Sequence, residues 1–149
     1  MSDTSNFDYL SYGQRKRAAG SQYGASAAKS AYSQFLAQQR GNRQAFDINK
    51  QFEQAAPRLV SGYTQRGLAG PGVQSGIYSR GLTDFANQKT DAINANELGT
   101  ARDIQQMRLE DAGNLDAYNA QFNQLEFEKQ SNIANTAASL TAWKPFLGA

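Results

Sequence analysis

The stretch from Leu82 to about Ile133 decides the fold. In blocks of eleven it reads LTDFANQKTDA (82–92), INANELGTARD (93–103), IQQMRLEDAGN (104–114), LDAYNAQFNQL (115–125) and EFEKQSNIANT (126–136). The first four blocks open with Leu82, Ile93, Ile104 and Leu115. Their fourth positions hold Phe85, Asn96, Met107 and Tyr118. The eighth positions are polar at Lys89, Thr100 and Asp111, then apolar at Phe122 and Ile133. Eleven residues make three turns at about 3.67 residues per turn, so the repeat holds one stripe on one face of a nearly straight or slightly right-handed helix. From Leu115 the spacing tightens to Leu115, Tyr118, Phe122 and Leu125, a seven-residue pattern that favours left-handed packing. The expected packing seam is therefore Leu82, Phe85, Ile93, Ile104, Met107, Leu115, Tyr118, Phe122 and Leu125. It is thin and is interrupted at Asn96 and Glu126. A thin stripe on a long helix needs partners to cover it, which predicts an all-α protein ordered by oligomeric assembly. Leu98 and Leu109 lie off the stripe and mark a second contact.

Composition agrees. The 149 residues suit one domain. Ala, Gln and Asn supply 50 of them, whereas Leu, Ile, Val and Phe supply only 26. Ala and Gln are good helix formers, so long helices with little private core are expected. The chain has no Cys and no His. Disulfides, thiolate nucleophiles, ordinary zinc sites and His-based triads are excluded. No carboxylate pair motif stands out, and neither enzymatic activity nor a cofactor is expected. Charge is divided unevenly: residues 1–80 carry +6 and residues 81–149 carry −4. The two halves are expected to pair with each other, within or between subunits. The alternative is a basic half that touches nucleic acid.

Working outward, residues 1–24 read as an extended arm. No basic region followed by an apolar run is present, so no signal peptide is expected. The arm carries Phe7, Tyr9, Tyr12 and Tyr23 around Arg15, Lys16 and Arg17. Such interleaving suits either base stacking or docking on a neighbouring subunit. Residues 25–56 read as a first helix, capped by Ser21 or Ser26, with Tyr32, Phe35, Leu36, Phe46 and Phe52 as an uneven apolar face. Gly41 is a candidate break. Arg40, Arg43 and Lys50 offer a surface for phosphate or for another subunit. Pro57 suits the first position of a short helix over 57–66, because its missing N–H would be unpaired there. Gly67 suits the left-handed position that closes that helix. The turn spans 67–72 through Gly67, Gly70, Pro71 and Gly72, with Gly70 and Pro71 as cap and first position of the next helix. Its glycine spacing is not that of a phosphate-binding loop, and no Walker lysine is present after it.

The second long helix is expected over 73–143, either continuous or broken at Gly99 or Gly113. At its end Ile133, Ala137, Leu140 and Trp143 form a short stripe, terminated by Pro145. It suits a subunit contact better than the membrane interface that a Trp beside Lys144 can occupy. No stretch approaches the ~20 apolar residues of a membrane span.

The segment Arg66-Gly67-Leu68-Ala69-Gly70-Pro71-Gly72, continued through Gly76-Ile77-Tyr78 to Leu82-Thr83-Asp84-Phe85, resembles a pattern in small helical virion proteins of tailed bacteriophages. In those proteins an R-G-L-x-G-x-G turn leads into a long Gln/Ala/Asn-rich helix. The likeness covers roughly residues 57–135. It implies a structural role in the virion, symmetric assembly, and no catalytic residues. The implied partners are copies of the chain and other virion proteins of the portal, neck, tail or internal core, with packaged DNA nearby. The expected function is a homo-oligomeric helical ring or tube on the DNA path, most specifically an internal or ejection protein near the portal. Two alternatives stay open: a fixed neck or tail adaptor, and a nucleic-acid-binding helical protein with a basic arm.

Overall fold

The computed structural model describes residues 9–147, except for the side chains of 73, 74 and 143–147. It contains two long helices joined by a short turn. Helix α1 spans Tyr9–Gln65 and helix α2 spans Gly76–Leu147. Between them lies a minimal antiparallel pair, β1 (Ala69–Gly70) and β2 (Val73–Gln74), with Ala69 opposite Gln74 and Gly70 opposite Val73.

Several boundaries differ from the sequence reading. Residues 9–24 are helical, not extended; residues 1–8, including Phe7, lie outside the described residues. Ser21 and Ser26 do not cap α1. Their hydroxyls donate to the carbonyls of Ala18 (3.0 Å) and Tyr23 (2.8 Å), a back-bond that a serine makes inside a helix. Pro57 lies within α1 and opens no new helix. A proline there costs roughly 3 kcal/mol, but packing holds α1 on both sides of it. Before it, Phe52 meets Phe85 with ring centroids 5.0 Å apart. After it, Tyr63 meets Tyr78 edge-on at 5.4 Å. Gly41 does not break α1, and neither Gly99 nor Gly113 breaks α2. Helix α2 also runs past Pro145 to Leu147.

The turn is built from specific hydrogen bonds. Gly67 has φ of +70°, and its N–H donates to the Thr64 carbonyl (2.9 Å) while Leu68 N–H donates to Tyr63 (3.0 Å). These are the paired bonds of a Schellman C-cap. Pro71 and Gly72 form the two-residue loop between β1 and β2. Gly72 at φ +83° matches the third position of a type II turn, and proline favours the second. Pro71 therefore turns the β-pair and does not open α2. The cap of α2 is Ser75. Its Oγ accepts from Tyr78 N–H (3.1 Å) and donates to the Leu68 carbonyl (2.8 Å), tying the helix start to the preceding turn.

The chain divides into two compact units. One is the continuous segment Tyr32–Met107, which holds the turn and an antiparallel pairing of α1 with α2. The other joins the part of α1 ending at Ala31 to the part of α2 beginning at Arg108, also antiparallel. Neither has a conventional core. The buried hydrophobic residues are Tyr12, Ala19, Ala37, Ala69 and Leu125, and no described side chain is fully buried.

Candidate assembly surfaces

The surface of α2 turned toward α1 follows the eleven-residue stripe. Leu82, Phe85, Ile93, Ile104, Met107, Tyr118 and Phe122 are half-buried, Leu125 is buried and Leu115 is exposed. The polar members Lys89, Asn96, Thr100 and Asp111 are half-buried on the same line. Asp111 has one buried carboxylate oxygen without a hydrogen-bond partner.

Helix α1 carries a matching repeat that sequence reasoning missed. Tyr12, Tyr23, Gln34, Ala45 and Ala56 form one row, and Ala19, Ser30, Gly41, Phe52 and Tyr63 form another. All ten are buried or half-buried. The repeat escapes a search for large apolar residues because Ala, Ser and Gly fill half of it. Small residues are needed where the backbones approach. In the Tyr32–Met107 unit, a Cβ added at Gly41 would lie 2.9 Å from Thr100 Cγ2 and closer still to its Oγ1. Asn96 Nδ2 donates to the Gly41 carbonyl (2.9 Å), and Thr100 Oγ1 donates to the Asn96 carbonyl (2.9 Å). Asn96 thus breaks the apolar stripe in order to bond across it. Gly81 plays the same steric part under the Tyr63 ring.

In the other unit the seam ends in a charged and aromatic cluster. Tyr12 Oη donates to Glu126 Oε1, which also accepts from Lys16 Nζ (3.0 Å). Lys16 Nζ sits 4.4 Å from the Phe122 ring centroid, and Lys129 Nζ lies 5.4 Å from that of Tyr12. Tyr23 stacks on Tyr118 at 5.1 Å. Arg15 pairs with Glu128 at 3.2 Å. Hydrogen bonds from Tyr12 and Lys16 hold the Glu126 carboxyl below the usual glutamate range. The same contact to Glu126 raises both the Tyr12 phenol and the Lys16 ammonium. Basic and acidic halves do meet here, through the exposed Arg15–Glu128 pair and the half-buried Lys16–Glu126 pair, and exposed pairs guide register more than they stabilise.

Of the six basic residues singled out in the sequence, Arg15 and Lys16 are engaged within the chain. Arg17, Arg40, Arg43 and Lys50 are exposed. The structure brings Arg40 and Arg43 onto one stretch of α1 and keeps both in the Tyr32–Met107 unit. The uneven apolar face of α1 is in fact two faces. Phe52 points to α2, whereas Tyr32 (63% exposed), Phe35 (55%) and Phe46 (64%) lie on the side away from it. On α2, Leu98 and Leu109 are likewise exposed and off the seam. Ile133 and Leu140 are exposed, and the side chain of Trp143 lies outside the described residues.

Among the described residues no group of acidic side chains is placed to hold a metal, and no helix is long and apolar enough to cross a membrane. No protein-family model, curated protein or solved structure matches this chain.

Proposed function

We propose that this protein is a structural subunit that assembles with copies of itself into a helical ring or tube on a DNA path. One observation carries the reading. In the Tyr32–Met107 unit, large apolar side chains lie on the sides of α1 and α2 that face away from each other, at Tyr32, Phe35, Phe46 and Leu98. Clustered exposed apolar groups mark interaction surfaces in soluble proteins. The resemblance of Arg66–Phe85 to tailed-phage virion proteins supplies the setting: a virion component, internal or ejected with DNA near the portal. The role is architectural and calls for no catalysis or cofactor.

Sedimentation velocity at micromolar concentration tests self-assembly, and a compact, stably folded monomer would overturn it. Purified particles test the setting. Loss of the protein from particles after DNA release supports an ejected component. Retention gives the alternative, a fixed neck or tail adaptor. Binding to free duplex with a steep salt dependence, without any particle, would move the protein to nucleic-acid recognition.

A further inference from the structure

The away-facing sides of α1 and α2 in the Tyr32–Met107 unit are both exposed, and they are complementary to each other. On α1 that side carries Tyr32, Leu36, Arg43, Phe46, Asp47 and Lys50, with Glu53 at its edge. On α2 it carries Arg80, Asp84, Asp91, Leu98 and Arg102. None of these charged residues joins an ion pair with another described residue of the chain. Each helix spends its inward side on its partner in the same chain, which leaves the two outward sides open to another molecule.

We infer that the outward side of α1 in one copy packs against the outward side of α2 in the next copy, antiparallel, with Arg43 opposite Asp91. This deepens the proposed self-assembly and rests on it. One register aligns the charges: Lys50 meets Asp84 and Arg43 meets Asp91, while Asp47 falls opposite the uncharged Asn87 and Glu53 lies one residue out of line with Arg80. In that same register Leu36 meets Leu98, and the Tyr32 ring meets Arg102, a cation–π arrangement. A slip of seven residues one way sets Arg43 against Leu98. A slip the other way sets Leu36 against Asp91. Charge pattern thus selects the register while the apolar groups supply the contact, the division of labour seen in paired helices generally.

The antiparallel sense is the one α1 and α2 adopt within the unit, so neighbouring copies run in the same direction. The contact joins two different faces. A contact of that kind repeats from copy to copy, closing into a ring where its rotation allows and extending otherwise.

The experiment uses the full chain. Arg43→Asp and Asp91→Arg are each expected to raise the concentration needed for assembly by about tenfold or more, since like charges then face each other. Far-UV circular dichroism should show helix content unchanged. Mixing the two variants should restore assembly, because every contact again pairs opposite charges. The chain has no cysteine, so a second measurement is clean. A Leu36→Cys copy mixed with a Leu98→Cys copy should form a disulfide between copies under mild oxidation, and neither should link to itself. Assembly that ignores both charge reversals, or Leu36→Cys linking to itself, would overturn this pairing while leaving self-assembly standing. A monomer at every concentration would overturn both. Loss of duplex DNA binding in Arg43→Asp with assembly unchanged would assign the face to nucleic acid and overturn the pairing.

Discussion

Substituting Gly41 by alanine separates two opposed effects. In an exposed helix interior, alanine is better than glycine by about 1 kcal/mol. At Gly41 the new methyl would meet Thr100 Cγ2 at 2.9 Å and Oγ1 at less. That threonine cannot simply turn away, because its hydroxyl is bonded to the Asn96 carbonyl and Asn96 is bonded to Gly41 itself. Overpacking of this kind costs roughly 1–3 kcal/mol. Pushing the helices apart also strains the Asn96–Gly41 bond, worth about 1 kcal/mol. The balance is a net destabilisation of roughly 1–3 kcal/mol, by those same estimates. Gly99→Ala and Gly113→Ala are the controls. Nothing lies within 4 Å of a Cβ at either, so each should stabilise by about 0.5–1 kcal/mol. Urea unfolding followed by circular dichroism, at one fixed protein concentration because assembly shifts apparent stability, reads all three. Thr100→Ala added to Gly41→Ala should recover most of the loss. A Gly41→Ala protein as stable as the Gly99→Ala protein would refute the close-approach argument.

Other outcomes are expected from the same contacts. Ser75→Ala removes the cap of α2 and the donor to Leu68, and should cost about 1–2 kcal/mol in urea unfolding. Gly67→Val places a β-branched residue at φ +70° and should lower the thermal midpoint through strain of about 1–3 kcal/mol; an unchanged midpoint would show that the turn re-forms differently. Glu126 is depressed in the folded state, so its contribution is present above the unfolded glutamate value of about 4.3 and fades as pH falls through the lower folded value. An acid limb in stability should appear there and flatten in Glu126→Gln. Tyr12 and Lys16 are raised, so their contribution is complete below their unfolded values, about 10 and 10.4, and fades as pH rises through the folded ones. Phenolate absorbance lost in Tyr12→Phe should titrate above the ordinary tyrosine value of about 10. Ile104→Asp buries a carboxylate on the seam and should cost several kcal/mol, whereas Leu109→Asp, at 66% exposure, should leave helix content unchanged.

The sequence exposed some of this and concealed the rest for physical reasons. The α2 stripe was legible because Leu82, Phe85, Ile93 and Ile104 are large and apolar. The α1 stripe was not, because small residues such as Ala19, Ser30, Gly41 and Ala45 fill half of it and read as neutral filler. Asn96 and Glu126 looked like interruptions because their partners, Gly41 and Tyr12, lie far away along the chain. Gly67 announced the end of α1, since a Schellman cap needs a residue free to take positive φ. Ser75 was available by the ordinary N-cap rule, but Pro71 competed for the helix start and Gly72 assigned it to the turn. The helical state of residues 9–24 was hidden in the same way. It is stabilised by Tyr23 on Tyr118 and Tyr12 on Glu126, contacts that no local pattern displays.

The capped turn also bears on the order of events during folding. Once Gly67, Gly72 and Ser75 fix the reversal, Tyr63 needs little further loop closure to find Tyr78. The Phe52–Phe85 layer then extends an ordered pair, and the Gly41–Thr100 layer extends it again. Each step closes only a short additional loop, so the entropy of a distant encounter is spread over many small increments. Contacts formed this way are local in effect though not in sequence, and they favour fast folding. The transition state should be concentrated at the turn. Ser75→Ala and Gly67→Val should then mainly slow folding, while Gly41→Ala should mainly speed unfolding. Amide exchange within the Tyr32–Met107 unit should be slowest beside Tyr63 and Tyr78 and quicken toward Gly41.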